Sequence, residues 1–116
     1  MQQEGFKSLT VWKKSMELVV QVYIVVALLP QEEKYALSDQ MRRSAVSIAS
    51  NIAEGSKRGK KEFSHFLRVA HGSLAELETQ LILTERLFPD ISTESCLNLG
   101  EEVGKMLYAL GLKLGD

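Results

Sequence analysis

Apolar residues recur along this chain at intervals of three and four positions, which is the period of an α-helix that buries one face. Pro30 ends the first series and Pro89 the third, because proline cannot continue a helix. Gly55 is expected to end the second in a left-handed conformation, and Ser92 to cap the fourth. The four series are Trp12, Ser15, Val19, Val22, Val26 and Leu29; Leu37, Met41, Ala45, Ile48 and Ile52; Phe63, Leu67, Ala70, Leu74, Leu77, Leu81, Thr84 and Phe88; and Leu99, Val103, Leu107, Leu110 and Leu114.

The arrangement of these helices follows from the length of the chain and from the short segments between them. Residues 1–116 are enough for one hydrophobic core and too few for two domains. No stretch alternates apolar and polar residues as a half-buried strand does. Helices joined by short connections pack side by side in opposite directions. The sequence therefore predicts a single all-α domain, an antiparallel up-down-up-down four-helix bundle.

The chain has more apolar residues than the four helical seams need. They surround most of the first helix and lie beside the seam of the third. Apolar surface that remains after a bundle closes favours association between copies. We therefore expect a homo-oligomer, and the alternative is a wide core face within one chain. These residues are Leu18, Tyr23, Ile24, Val25 and Leu28 in the first helix, and Phe66 and Ile82 in the third.

A polar stripe follows the second helix at the same spacing, and we call it the polar seam. Its members are Gln40, Ser44, Ser47, Asn51 and Glu54. Small residues beside the seam allow another helix to approach, so we expect it to be packed; the alternative is a face exposed to water. Glu54 lies near the helix C-terminus, where the helix dipole disfavours negative charge. A partner is expected from elsewhere in the bundle, with Arg42, Arg43, Arg68, His71 and Ser73 as the candidates.

Charge is unevenly distributed, although the formal net charge is only −1. Residues 40–71 contain seven basic and two acidic side chains, whereas residues 72–116 contain three basic and eight acidic ones. Lys60 and Lys61 open a helix, where cations and free backbone N–H groups together suit a phosphate. The alternative is an ordinary solvated turn. The candidate nucleic-acid-binding residues are Arg42, Arg43, Lys57, Arg58, Lys60, Lys61 and Arg68.

Signals for other chemistry are weak. His65 and His71 lie six positions apart, which is not the spacing of two metal ligands on one helix face, and Cys96 has no histidine nearby. Glycine-rich phosphate loops are missing, so we expect no enzyme, no cofactor and no metal. The apolar run from Leu18 to Pro30 is too short to span a membrane. One cysteine fits a reducing compartment, and we expect a cytoplasmic protein.

Four segments of the sequence are similar to the four-helix bundle family encoded in 23S rRNA intervening sequences. They are LTVWKKSMELVVQVY, EEKYALSDQMRRSAVSIASNIAEG, FLRVAHGSLAELETQL and GKMLYALGLKL, and the likeness extends from Phe6 to about Leu114. The family is also similar to the accessory protein of diversity-generating retroelements. That resemblance implies a pentameric barrel that binds nucleic acid and a reverse transcriptase. The family's motif positions correspond to Gln40, Arg42, Arg43, Ser47, Asn51, Glu54, Gly55, Gly72, Ser73 and Glu76.

Together the residues and the resemblance indicate a function without catalysis. Gly55, Ser73 and Glu76 are added to the polar seam as structural residues on the strength of the resemblance. The leading hypothesis is a homo-oligomeric scaffold, with five subunits favoured by the resemblance, that binds RNA or DNA through the basic turn between the second and third helices. The alternative is a protein-interaction scaffold that binds no nucleic acid.

Overall fold

The computed structural model describes residues 5–115 and contains four α-helices. They are α1 (Thr10–Val26), α2 (Leu37–Ser56), α3 (Lys60–Leu87) and α4 (Glu94–Lys113). Two short 3-10 helices, Gly5–Ser8 and Gln31–Glu33, precede α1 and α2. No strand occurs in this part of the chain. The predicted all-α four-helix architecture is confirmed.

The helices enclose one hydrophobic core, with α1 and α3 on opposite corners and α2 and α4 between them. Leu18, Met41, Leu77 and Val103 represent the four helices in this core, and each is fully buried. Burying a side chain of this size stabilises the fold by about 1.5–3 kcal/mol. Within residues 5–115, none of the helices combines the length and the apolar character needed to cross a membrane.

The first helix ends earlier than its apolar series. α1 stops at Val26, and the backbone N–H of Leu29 then donates to the carbonyl of Val26 in a turn. Pro30 disfavours helical geometry in the residue before it. Leu29 nevertheless stays half-buried against the core, so the pattern identified a core residue that the helix itself does not include.

The interface between α2 and α3 depends on the absence of a side chain at Gly55. The expectation that Gly55 is a left-handed cap is wrong, because it lies inside α2 and does not have a positive φ. A Cβ atom on Gly55 would lie 2.6 Å from Cβ of Phe66 and 2.9 Å from Cδ1 of Phe63. Farther along the same interface, the hydroxyl of Thr84 lies 3.5 Å from the sulfur of Met41. α2 and α3 therefore run in opposite directions along their contact.

The start of α4 involves both Ser92 and Thr93. The hydroxyl of Ser92 accepts a hydrogen bond from the backbone N–H of Glu94 at 3.4 Å, as expected of a capping residue. Thr93 is fully buried and directly precedes the helix, and its side chain makes no capping hydrogen bond. Its backbone N–H and its hydroxyl donate to one carboxylate oxygen of Glu85, at 2.7 and 2.8 Å. These hydrogen bonds, the backbone one first, hold the pKa of Glu85 below its ordinary value. The end of α3 is thereby tied to the beginning of α4.

The Gly55 contact predicts opposite effects for two glycine-to-alanine substitutions. Gly55→Ala should lower the free energy of unfolding, because overpacking a core costs about 1–3 kcal/mol. Gly72→Ala is the matched control: its added Cβ meets nothing within 4 Å. Alanine at such a helical position should stabilise by about 0.5–1 kcal/mol. Urea unfolding of the two variants tests this, and equal effects at both sites would contradict the assigned contact.

The Glu85 contact predicts a pH dependence of stability. The folded pKa of Glu85 is lowered, so its contribution is complete above the unfolded pKa and is lost as the pH falls through the lower folded pKa. Glu85→Gln should therefore reduce Tm most near neutral pH, and the difference from wild type should shrink in acid. Thermal melts between pH 7 and pH 3 measure it. Glu101→Gln, at an exposed position of α4, is the control, and a Glu85→Gln difference that grew in acid would contradict the assignment.

Candidate functional site

The middle of the polar seam is packed between α2 and α3. The hydroxyl oxygens of Ser47 and Ser73 lie 2.7 Å apart, which joins the two helices. The side-chain amide of Asn51 donates to the carbonyl oxygen of Ser47 at 2.8 Å and to its hydroxyl oxygen at 3.0 Å. Ser44 and Ser73 are each 7% exposed. Ser47, Asn51 and Ser73 thus form a hydrogen-bonded cluster in the middle of the seam, and Ser44 is packed beside it.

The ends of the polar seam face outward instead. Gln40, Glu54 and Glu76 are exposed. The expectation that Glu54 has a partner on another helix is wrong, because its carboxylate accepts hydrogen bonds from Arg58, four residues later, with Nε at 3.2 Å. The hydrogen bond to Glu54 raises the pKa of Arg58. The unfavourable position of Glu54 at the helix C-terminus is thus offset by a local ion pair.

The basic turn between α2 and α3 contains one arginine that forms ion pairs and three lysines that are exposed. Arg58 contacts Glu54 and also Glu62, and its guanidinium lies 5.3 Å from the centre of the Phe66 ring. The three neighbouring lysines are exposed, and we call them the lysine turn: Lys57, Lys60 and Lys61. The ammonium of Lys57 lies 5.7 Å from the centre of the Phe6 ring. The lysine turn therefore supplies the charge that can reach a phosphate, and Arg58 maintains the shape of the turn.

The other candidate cations are spread over three places. Arg42 donates to the backbone carbonyl of Lys34 at 3.2 Å, which holds the segment before α2. Arg43 lines a groove between α2 and α3. Arg68 lies beside a groove between α3 and α4, together with His71. The seven predicted nucleic-acid-binding residues do not form one continuous surface.

The groove that Arg43 lines was not predicted from the sequence. We call it the polar groove. Its volume is about 730 Å³. Ser73, Glu76, Gln80 and Leu83 follow α3 at intervals of three and four, and this spacing, beside the seam of α2, is the signal that could have revealed it. Its lining residues are Leu37, Gln40, Arg43, Ser44, Ser47, Glu76, Thr79, Gln80 and Leu83.

Large apolar side chains form a continuous outward stripe on α1 and the turn after it, which we call the apolar face. Its residues are Met16, Val20, Tyr23, Ile24 and Leu28, between 42% and 61% exposed. Two other residues that the sequence placed in the apolar excess, Leu18 and Val25, are buried in the core. In α3, Phe66 is half-buried and Ile82 is 46% exposed. The apolar excess of α1 is therefore divided between the core and one exposed stripe.

Two observations on the described residues concern metal binding and thiol chemistry. Among residues 5–115, no three histidine, cysteine or acidic side chains are grouped so that they could hold a metal ion. Cys96 is fully buried, and burial raises the pKa of its thiol. A thiol in this state is a weak nucleophile.

Comparison with known proteins identifies relatives of the whole bundle. The family described as 23S rRNA-intervening sequence protein matches residues 7–109. A crystal structure from Bacteroides thetaiotaomicron, described as a protein with unknown function from the S23 ribosomal protein family, superposes with a TM-score of 0.78. The two sequences are 28% identical over 87% of this chain and 97% of that chain. No curated protein matches.

The family match confirms the similarity to this family that was seen in the sequence. The matched residues begin before α1 and extend into α4. The chain belongs to the family of 23S rRNA-intervening sequence proteins.

Proposed function

We propose that this protein is a non-enzymatic, cytosolic scaffold that assembles into a homo-oligomer and holds the backbone of a nucleic-acid strand through its lysine turns. The observation that carries the proposal is the apolar face of α1. Four large apolar side chains of α1, with Leu28 in the turn after it, form a patch of a kind that marks interaction sites on soluble proteins.

A second copy of the chain is the occupant that suits this face best. Val46 of α2 is 41% exposed and lies next to Met16, which widens the patch beyond one helix. The face carries no charged residue among its five members, as the centre of an oligomer interface requires. Five copies is the number that the family resemblance implies.

Assembly also explains how a chain of net charge −1 could hold nucleic acid. A single lysine turn has three exposed cations and gives a weak, sequence-independent attraction to phosphates. Several turns in one oligomer contact a long strand together, and each further contact is then effectively intramolecular. Affinity for long strands therefore depends on oligomerisation.

A protein-interaction scaffold is the alternative function, and one observation favours it. Arg58, the central cation of the basic turn, is already paired with Glu54 and Glu62. This lowers the local positive charge, and the apolar face would then receive a different protein, such as a reverse transcriptase. The two functions differ in whether nucleic acid binds.

Assembly is tested by placing charges on the apolar face. The wild type should have a mass several times the monomer value of 13.0 kDa at micromolar concentration, measured by light scattering. Val20→Lys combined with Ile24→Lys should return the mass to that of the monomer, because unpaired charges in an interface are strongly unfavourable. Ile82→Lys, on the opposite corner of the bundle, is the control. A monomeric wild type would overturn the proposed assembly.

Nucleic-acid binding is tested by its salt dependence. Log affinity for a long RNA or DNA strand should fall steeply with log salt, and replacing Lys57, Lys60 and Lys61 by alanine should reduce the slope by roughly one unit for each lost phosphate contact.

The control for this triple variant removes the same charge elsewhere, by alanine at Lys13, Lys105 and Lys113, all of them exposed. It should leave the slope near that of the wild type. A wild type that does not bind even at low salt would favour the protein-interaction scaffold instead.

A further inference from the structure

The floor of the polar groove contains a buried polar atom that lacks a partner. The side-chain oxygen of Gln80 is fully buried and accepts no hydrogen bond from residues 5–115. Ser44, a residue only 7% exposed, lines the same groove and adds a hydroxyl to it. Leaving a buried polar atom unsatisfied is unfavourable. The Gln80 oxygen is therefore a reason to expect a polar ligand in the groove.

Opposite charges stand on the two walls of the groove. Arg43 lines it from α2 and Glu76 from α3. Neither side chain forms an ion pair or a hydrogen bond with another residue in the described range 5–115. Leu37 and Leu83 add apolar surface to the same groove. A fitting ligand therefore offers acceptors to a guanidinium, donors to a carboxylate and a flat apolar face to the leucines.

We propose that the polar groove binds one unpaired guanine of the strand held by the lysine turn, an inference that rests on the proposed function. Guanine presents O6 and N7 as adjacent acceptors, the pair that arginine contacts in its commonest base-specific interaction. Its N1–H and its 2-amino group are two neighbouring donors that one carboxylate can accept. Arg43 contacts the first edge and Glu76 the second.

The other bases match the two walls less well. Adenine offers one amino group beside a ring acceptor, which would face the Glu76 carboxylate. Cytosine likewise has one amino group beside a ring acceptor. Uracil has a single N–H between two carbonyl groups. Ser44 and Gln80 on the floor then provide a donor and an acceptor for the remaining polar atoms of the base or for a ribose 2′-hydroxyl.

The distance to the lysine turn suits one continuous strand. Lys57 and Arg43 are fourteen residues apart along α2 and the turn that follows it. At 1.5 Å per residue this is about 21 Å, or roughly six stacked nucleotides at 3.4 Å each. Both places lie along the pair α2 and α3, the groove beside the first half of α2 and the lysine turn beyond its end. Phosphate contacts at the lysine turn would thus position the strand, and the groove would select a base.

The experiment measures the binding of 24-nucleotide uracil RNA strands by fluorescence anisotropy at one salt concentration. One strand contains only uracil, and the others carry a single central guanine, inosine or 7-deazaguanine. Guanine should tighten binding roughly tenfold, the order expected for one good bidentate base contact. Inosine lacks the 2-amino donor and 7-deazaguanine lacks the N7 acceptor, so each should lose most of that gain.

Substitutions of Glu76 and Arg43 test which residue contacts each edge of the guanine. Glu76→Gln should remove the difference between guanine and inosine, and Arg43→Gln the difference between guanine and 7-deazaguanine. Arg86→Gln and Glu101→Gln change the same charges at exposed positions outside the groove and should keep the guanine preference. Since the base analogues probe the wild type, the test does not depend on the stability of any variant.

Two results would overturn the inference, and they are distinguishable. If all four strands bind the wild type equally, or if both groove variants keep the full guanine preference, the guanine site is wrong while nucleic-acid binding stands. If no strand binds at any salt concentration, the proposed nucleic-acid function fails and the guanine site fails with it.

Discussion

The close contact between α2 and α3 at Gly55 is the constraint on which the rest of the structure depends. With no side chain at Gly55, the helix backbone can pack directly on Phe66 and Phe63. That approach brings Ser47 within 2.7 Å of Ser73 and leaves the polar groove farther along the same two helices. It also sets the position of the turn that carries the lysines. Packing, polar seam and candidate binding surface are thus consequences of one interface.

The same geometry determines which surfaces are left for function. α1 packs between α2 and α4, and its backbone does not approach that of α3, so one side of α1 faces away from the bundle. That side is apolar from Met16 to Leu28. The polar groove lies between α2 and α3, and the lysine turn joins the same two helices. Assembly and strand binding can therefore use different parts of the molecule without competing.

The helices and the seam could be predicted from sequence because their periodicity reflects burial directly. The hydrogen-bond partners of side chains at helix ends could not be predicted, because several nearby groups compete for each of them. Thr93 directly precedes α4, and its hydroxyl donates to Glu85, eight residues earlier, instead of capping the helix. Glu54 found a partner four residues away in Arg58 rather than across the bundle. The unsatisfied oxygen of Gln80 depends on tertiary packing that no single-helix pattern describes.

In the proposed assembly, the apolar face of α1 is covered and the polar groove stays open. The alkylation rate of a cysteine introduced at each surface measures this directly, in Ile24→Cys and in Thr79→Cys. The native thiol of Cys96 is buried with a raised pKa, so its background reaction is slow. The account predicts that alkylation of Ile24→Cys slows steeply as protein concentration rises, whereas Thr79→Cys reacts at an unchanged rate. Equal and concentration-independent rates at both positions would contradict it.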